Sequence, residues 1–470
     1  MRRAFFCFLR LCRAGAAVVI FASASAAPPP DVRALMKQNG ISPARAGIVI
    51  FRSGEDAPLL SHQPQKLFNP ASLTKLPLAF AAFDILGPRH QWKTAFKRAG
   101  EIEDGVLRGD LILSGGGDPH LTAERFLHQI NDLRSRGLRA FTGDLIIDDT
   151  LFLIPPHDTA AFDGAARKPY NAGGGALAVN FNAHKIVLSP RRGGIRAYLE
   201  PPNENFVIDN QLRAGRTRCS NWRGRISERY RGDGDRITLS LRGRYSPRCG
   251  EQAFYATAIS QAANAAGVFG ALWRRLGGEW SGKWRVAPSP PDAEEIAVFE
   301  SPPLYSAVAA MNKFSNNVIA RNIFLSLAEA GGAPPYSPES ARAVFDEWMR
   351  GRGIEGEFFV DNGSGLSREG RMSAGQMATL LRQILAHPLR AEIISSLPIL
   401  GIDGTLRRRL TKTARGRGHL KTGSLNGVNN IAGFLRDEAG RDIVFICMIE
   451  SSGSRARRFQ DAMIRWTLNQ

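Results

Sequence analysis

The chain of 470 residues is too long for one ordinary domain, and 43% apolar residues supply two or three packed cores, which excludes a disordered or fibrous protein. Its formal charge of +19 is carried mostly by arginines scattered along the chain, without zinc-finger spacing or a Gly-rich phosphate loop. That pattern argues against nucleic acid and leaves a solvated basic surface or loose association with an acidic envelope.

In chain order, Arg2, Arg3, Arg10 and Arg13 precede an apolar run over residues 14–22 that is too short to span a bilayer, followed by the small residues Ala24 and Ala26. This predicts an export signal over residues 1–26 and an extracytoplasmic, periplasmic destination; an uncleaved anchor or an amphipathic arm is the alternative. After an extended Pro28-Pro29-Pro30, the pattern predicts a short helix over 32–39 and a buried strand over 46–52. Asn69-Pro70-Ala71-Ser72-Leu73-Thr74-Lys75 follows, the single Ser-x-x-Lys in the chain. Pro70 suits the first position of a helix and Asn69 suits a cap, so Ser72 and Lys75 are expected in the first turn, on one face. A serine hydroxyl attacks only after losing its proton, and a desolvated neutral lysine can take it. The same spacing also arises by chance. This helix is expected to run to Gly87-Pro88 with a bend at Pro77.

Residues 93–284 change texture to short strands broken by Gly, Asn and Pro, with a strand, helix, strand unit over 109–149 and a long helix over 256–276. The Arg/Gly-rich stretch 213–248 lacks strong periodicity and reads as loop. Cys219 within it and Cys249 just after it can close a disulfide in an oxidising compartment. Cys447, inside an apolar run, reads as a core residue.

Beyond residue 296 helices are expected over 303–311, 317–327, 338–350 and 374–386, then strands over 418–423, 430–436 and 442–450 and a closing helix over 455–468. Ser315 and Asn317 precede the second helix at a spacing that points both side chains one way, although each is also an ordinary cap residue. In the strand Lys421-Thr422-Gly423-Ser424, Lys421 and Gly423 face one side and Thr422 and Ser424 the other. The bare Gly423 would let a ligand backbone approach. A solvated strand end is the plain alternative.

Ser-x-x-Lys, then Ser-x-Asn, then Lys-Thr-Gly in that order resembles the penicillin-recognising serine enzymes. The long separation of Lys75 from Ser315 implies an insertion, as in the low-molecular-mass class C penicillin-binding proteins, the D-alanyl-D-alanine carboxypeptidase/endopeptidases. Gly109-Asp110-Leu111, Tyr170-Asn171-Ala172, Asp361-Asn362-Gly363-Ser364-Gly365 and Gly401-Ile402-Asp403-Gly404-Thr405 agree with that pattern. Three places depart from it: the run Gly173-Gly174-Gly175 where bulkier residues are usual, Ala374 where proline is frequent, and Arg321 where an acidic residue is often seen.

The resemblance implies an α/β (α+β) fold: a transpeptidase-like domain of antiparallel sheet flanked by helices, residues 27–91 and 296–470, interrupted by an inserted region, 92–295, of one or two smaller β-rich domains. It implies hydrolysis of D-alanyl bonds in peptidoglycan stem peptides through an acyl-enzyme on Ser72, with β-lactams as inhibitors and no metal or cofactor. Lys75 would be the base, with Ser315, Asn317 and Lys421 completing the catalytic set and Thr422, Gly423 and Ser424 binding substrate. A β-lactamase is opposed by the insertion, and a non-catalytic binding or sensing protein by the three intact motifs.

Overall fold

The computed structural model describes residues 28–216, 218–451 and 453–470; the predicted export signal lies outside them. Its centre is a five-stranded antiparallel sheet in the order Gly418–Leu425, Val428–Arg436, Asp442–Ile449, Ala46–Arg52, Leu60–His62. The two central strands, Ala46–Arg52 and Asp442–Ile449, carry near-continuous apolar runs because both faces are covered, and alternate side chains enter different cores. Ile48, Ile50, Phe445 and Cys447 pack under the terminal helices Pro30–Asn39 and Ser454–Leu468. Val49, Phe51, Val444 and Ile446 face the other core, built with helices Lys75–Ile85, Leu304–Phe314, Asn317–Ser326, Pro338–Gly351 and Ala374–Ala386. Lys75–Ile85 is buried from Lys75 through Phe83, as expected of a helix apolar on every side.

Two details differ from the sequence reading. The α-helix starts at Lys75, and Ser72 lies in a separate 3-10 turn, Ala71–Thr74. Ala71 takes a left-handed φ of 48°, which prevents a regular helix from beginning at Pro70. Pro77 consequently falls in the first α-turn, where backbone N–H groups lack intrahelical partners, and no bend is required of it.

The chain between these halves forms two further cores. Strand Lys93–Glu103 pairs with Val106–Ser114 and with Glu294–Glu300, and Leu145–Asp148 runs parallel to Val106–Ser114. Helices Ala123–Ser135 and Gln261–Arg275 cover this sheet through Phe126, Ile130, Phe269 and Trp273. The long helix therefore begins later than expected, where the Ser260 side chain accepts a hydrogen bond from Ala263 N–H.

The second core lies between the sheet of His184–Arg191, Gly194–Glu200 and Gln252–Ala256 and the sheet of Phe206–Ala214, Ile226–Gly232 and Ile237–Tyr245. The stretch read as Arg/Gly-rich loop thus contains strands. Ile237, Leu239 and Leu241 turn inward, while the arginines of Ile226–Gly232 point to solvent. Cys219 and Cys249 are bonded, with Cα atoms 5.2 Å apart, and Cys447 is a buried free thiol. Among the described residues no helix is long and apolar enough to cross a membrane.

Candidate active site

Three distant segments converge. The turn carrying Ser72 lies against strand Gly418–Leu425, and Ser315 and Asn317 come from the junction between two helices on the same side. Helix Leu304–Phe314 ends because Ser315 adopts the left-handed conformation, φ 56°, a sparsely populated state for a non-glycine residue. Helix Asn317–Ser326 then starts with Asn316 as its cap, accepting from Ile319 N–H at 3.1 Å. Because Asn316 does the capping, Ser315 and Asn317 are free to point into the cleft.

Lys75 is fully buried. Its Nζ lies 3.1 Å from Ser72 Oγ and 2.8 Å from Asn317 Oδ1, and it also hydrogen-bonds the carbonyl of Ser364. Burial, then the positive charges of Lys421 and Arg321, hold its pKa well below the ordinary lysine value. A neutral amine has two hydrogens and one lone pair. Asn317 Oδ1 and the Ser364 carbonyl can only accept, so they take the two hydrogens and leave the lone pair for the hydroxyl of Ser72. With the amine neutral, this arrangement can accept a proton from Ser72 without rearrangement.

Lys421, also fully buried, donates to Ser315 Oγ at 2.9 Å and to the carbonyl of Thr422 at 2.8 Å. Burial pushes its pKa down to about 7. Two depressed amines, each bonded to a serine hydroxyl, therefore flank one cleft. Thr422 and Ser424 alternate away from Lys421 as expected: Thr422 Oγ1 donates to Thr405 Oγ1 at 3.1 Å and Ser424 Oγ to Asn429 Oδ1 at 3.3 Å.

Gly423 requires a correction. A Cβ there would lie 2.8 Å from the carbonyl oxygen of Pro70 and 3.1 Å from the backbone nitrogens of Ser72 and Leu73. Its missing side chain admits the serine turn itself, not the backbone of a ligand. Opposite Gly423 in the sheet stands Asn430, whose amide holds the carbonyls of Asn69 and Pro70. From the far side, the Asn69 side chain receives Ala71 N–H at 2.9 Å and donates to the carbonyl of Ser367 at 2.9 Å.

Sequence reasoning gave no site role to the Ser364 carbonyl, Asn430 or Thr405, although Ser364 and Thr405 lie in stretches that match the family pattern. Only Asn430 left a local signal: an amide inside an otherwise apolar strand, where Asn is disfavoured unless it has a buried task. Asn317 Nδ2 donates to the carbonyl of Tyr170 at 2.9 Å, which ties the cleft to the inserted region. Among the described residues no cluster of three or more His, Cys, Asp or Glu side chains is placed to hold a metal.

A model of the D-Ala-D-Ala carboxypeptidase 3 (S13) family matches residues 30–470. The chain is similar to D-alanyl-D-alanine carboxypeptidase DacB of Haemophilus influenzae, 27% identical over 410 residues that cover 81% of this chain and 80% of the relative. It is equally similar to a D-alanyl-D-alanine carboxypeptidase of an Actinomadura species, 27% identical over 465 residues covering 92% and 83%. Crystal structures of penicillin binding protein 4 from Haemophilus influenzae share the fold. One of them superposes with a TM-score of 0.76 at 23% identity over 93% of this chain and 99% of its own. Another, complexed with a novel beta-lactam, superposes at 0.73, with 24% identity over 93% and 98%.

Proposed function

The chain belongs to the S13 D-Ala-D-Ala carboxypeptidase family of serine peptidases, and from that premise we propose that Ser72 is its nucleophile and Lys75 the base that activates it. The observation that carries this reading is the position of Lys75 Nζ, 3.1 Å from Ser72 Oγ and held there by Asn317 Oδ1 and the Ser364 carbonyl. Ser72 attacks the carbonyl between the two terminal D-alanines of a peptidoglycan stem peptide. Lys75 takes its proton, and the bond to the leaving amine breaks as an acyl-enzyme forms. Ser315, held by Lys421, relays a proton to the departing amine, and Asn317 keeps Lys75 in register. The backbone N–H groups of Ser72 and Ser424 stabilise the oxyanion, and the hydroxyls of Thr422 and Ser424 receive the terminal carboxylate. Gly423 serves this site by admitting the serine turn. Water then hydrolyses the ester.

A β-lactam offers a strained acyl donor to the same serine, so penicillin is expected to acylate Ser72. Residues 1–26 act as an export signal, which puts the enzyme beside its substrate in the periplasm. The catalytic domain comprises residues 27–91 and 296–470, and the segment between them forms two nested smaller domains. Strand Glu294–Glu300, paired with Lys93–Glu103, makes the return crossing. The same cleft cuts D-alanyl cross-links as well as terminal D-alanine, since both offer one kind of bond to one serine.

The test is digestion of purified cross-linked wall fragments, with separate measurement of free D-alanine and of monomers released from dimers. Both products are expected. Ser72→Ala should release neither and should carry no penicillin adduct while remaining folded; an adduct on that variant would remove the nucleophile assignment.

A further inference from the structure

Arg321 is 8% exposed, yet among the described residues no carboxylate forms an ion pair with it. Its protein contacts all run through one nitrogen: Nη1 donates to the carbonyl of Ala172 and, at 3.4 Å, to that of Asn171, and stands 3.5 Å from His157 Nε2. Nε and Nη2 have no acceptor among the described residues. Those two nitrogens keep some access to water, while carbonyl dipoles only partly replace the hydration lost by the rest of the guanidinium. Burial accordingly lowers its pKa to about 10.

A cavity of about 230 Å³ adjoins this side chain, behind helix Asn317–Ser326 at the seam with the inserted region. Its polar end is Arg321 with His157. Its other walls are Pro155, Pro156 and Leu325, and Gly173 leaves it open where a side chain would protrude. Two of the three departures from the family pattern, the glycine run and Arg321, thus meet in one place.

We propose that this cavity is a binding site for a small carboxylate with a short apolar stem, its carboxylate on Arg321 and its stem against Pro155, Pro156 and Leu325. The planar fork of a guanidinium matches a carboxylate at two oxygens, and the cavity has room for several waters or one short acid. The apolar wall favours such an acid over a fully hydrated anion.

The site lies one helical turn from Asn317 and bears on Lys75. The charged and titratable groups that face this region are Lys75, Lys421, Arg321, His157, Asp158 and Asp361. The carboxyl of Asp361 is raised by burial and hydrogen-bonded by Ser367. A bound carboxylate offsets one of the two positive charges that repel a proton from Lys75. Protonation of Lys75 then becomes easier, and the rising limb of penicillin acylation against pH moves to higher pH. This second readout rests on Lys75 being the base; the binding itself does not.

Calorimetric titration of the full chain with butyrate tests the proposal, with butyramide as the uncharged control. Saturable butyrate binding is expected, weakened about 10- to 100-fold in Arg321→Met and absent for butyramide. Equal binding of butyramide, or unchanged affinity in Arg321→Met, would overturn it. Inorganic phosphate binding as tightly as butyrate would also overturn it, since the apolar wall would then contribute nothing. Should Arg321→Met fail to fold, Gly173→Val decides: its side chain enters beside the His157 ring and must abolish binding. Absence of butyrate binding to the unsubstituted chain, with Ser72 still labelled by penicillin, would sink this site and leave the catalytic reading standing.

Discussion

Asn430 holds Pro70 to the central sheet: its Nδ2 donates to the Pro70 carbonyl at 3.0 Å and to that of Asn69 at 2.8 Å, while its Oδ1 accepts from Ile449 N–H at 3.0 Å. One buried side chain thereby satisfies three backbone groups, two of them just ahead of Ser72. Asn430→Ala removes all three bonds; the Pro70 carbonyl keeps Leu73 N–H at 3.1 Å, while the Asn69 carbonyl and Ile449 N–H lose this side-chain partner. It is expected to lower unfolding free energy by about 2–4 kcal/mol, measured by urea titration, and to slow penicillin acylation. Unchanged acylation in a destabilised variant would mean that the serine turn holds its shape without this anchor.

Lys75→Arg keeps a positive charge and a long stem but cannot offer a lone pair at any workable pH. Acylation by penicillin should fall by about 100- to 10,000-fold, the range of a positioned general base. Stopped-flow measurement of the acylation rate checks this, and ordinary rates in the variant would assign the base elsewhere.

Lys75 and Lys421 both have folded-state pKa values below the unfolded lysine value near about 10.4, Lys421 at about 7. For Lys421, between those limits the unfolded chain binds a proton that the folded chain does not, so stability rises with pH across the window and levels off beyond it. The full slope is about 1.4 kcal/mol per pH unit for each lysine. Lys421→Met should remove the Lys421 share, which urea unfolding at about pH 7.5 and about pH 9 would reveal. Catalysis follows the same sign: acylation declines as pH falls through the depressed pKa of Lys75, because the lone pair is lost.

The parts of this site that sequence made legible are those fixed by short spacing. Ser72 and Lys75 are three residues apart and touch whether the backbone is α or 3-10, so the pairing survived a wrong expectation about where the helix starts. Ser315 and Asn317 were legible for the same reason, although the left-handed Ser315 and the capping by Asn316 were not. What stayed hidden depends on chain segments far apart. The Ser364 carbonyl is a backbone atom and leaves no letter. Asn430 acquires its meaning only when its strand pairs beside Gly423. The strands within 213–248 were obscured because only one face of that sheet is buried and arginines fill the other.

Gly423 packs against the serine turn, a different reason for a bare position from the one its place in the strand suggested. Any Cβ there meets the Pro70 carbonyl at 2.8 Å and the nitrogens of Ser72 and Leu73 at 3.1 Å, all backbone atoms that cannot swing aside. Gly423→Ala must push the serine turn away from the strand, or the strand away from the sheet partner Asn430. Overpacking of this kind costs about 1–3 kcal/mol, and the displacement falls on Ser72 itself. The expected result is a folded protein with acylation slowed about 100-fold, since small misplacement of a reacting group has that effect. If the serine turn is the contact that matters, large and small β-lactams should lose acylation rate to a similar degree in Gly423→Ala. A loss confined to bulky β-lactams would restore the ligand-approach reading of this glycine.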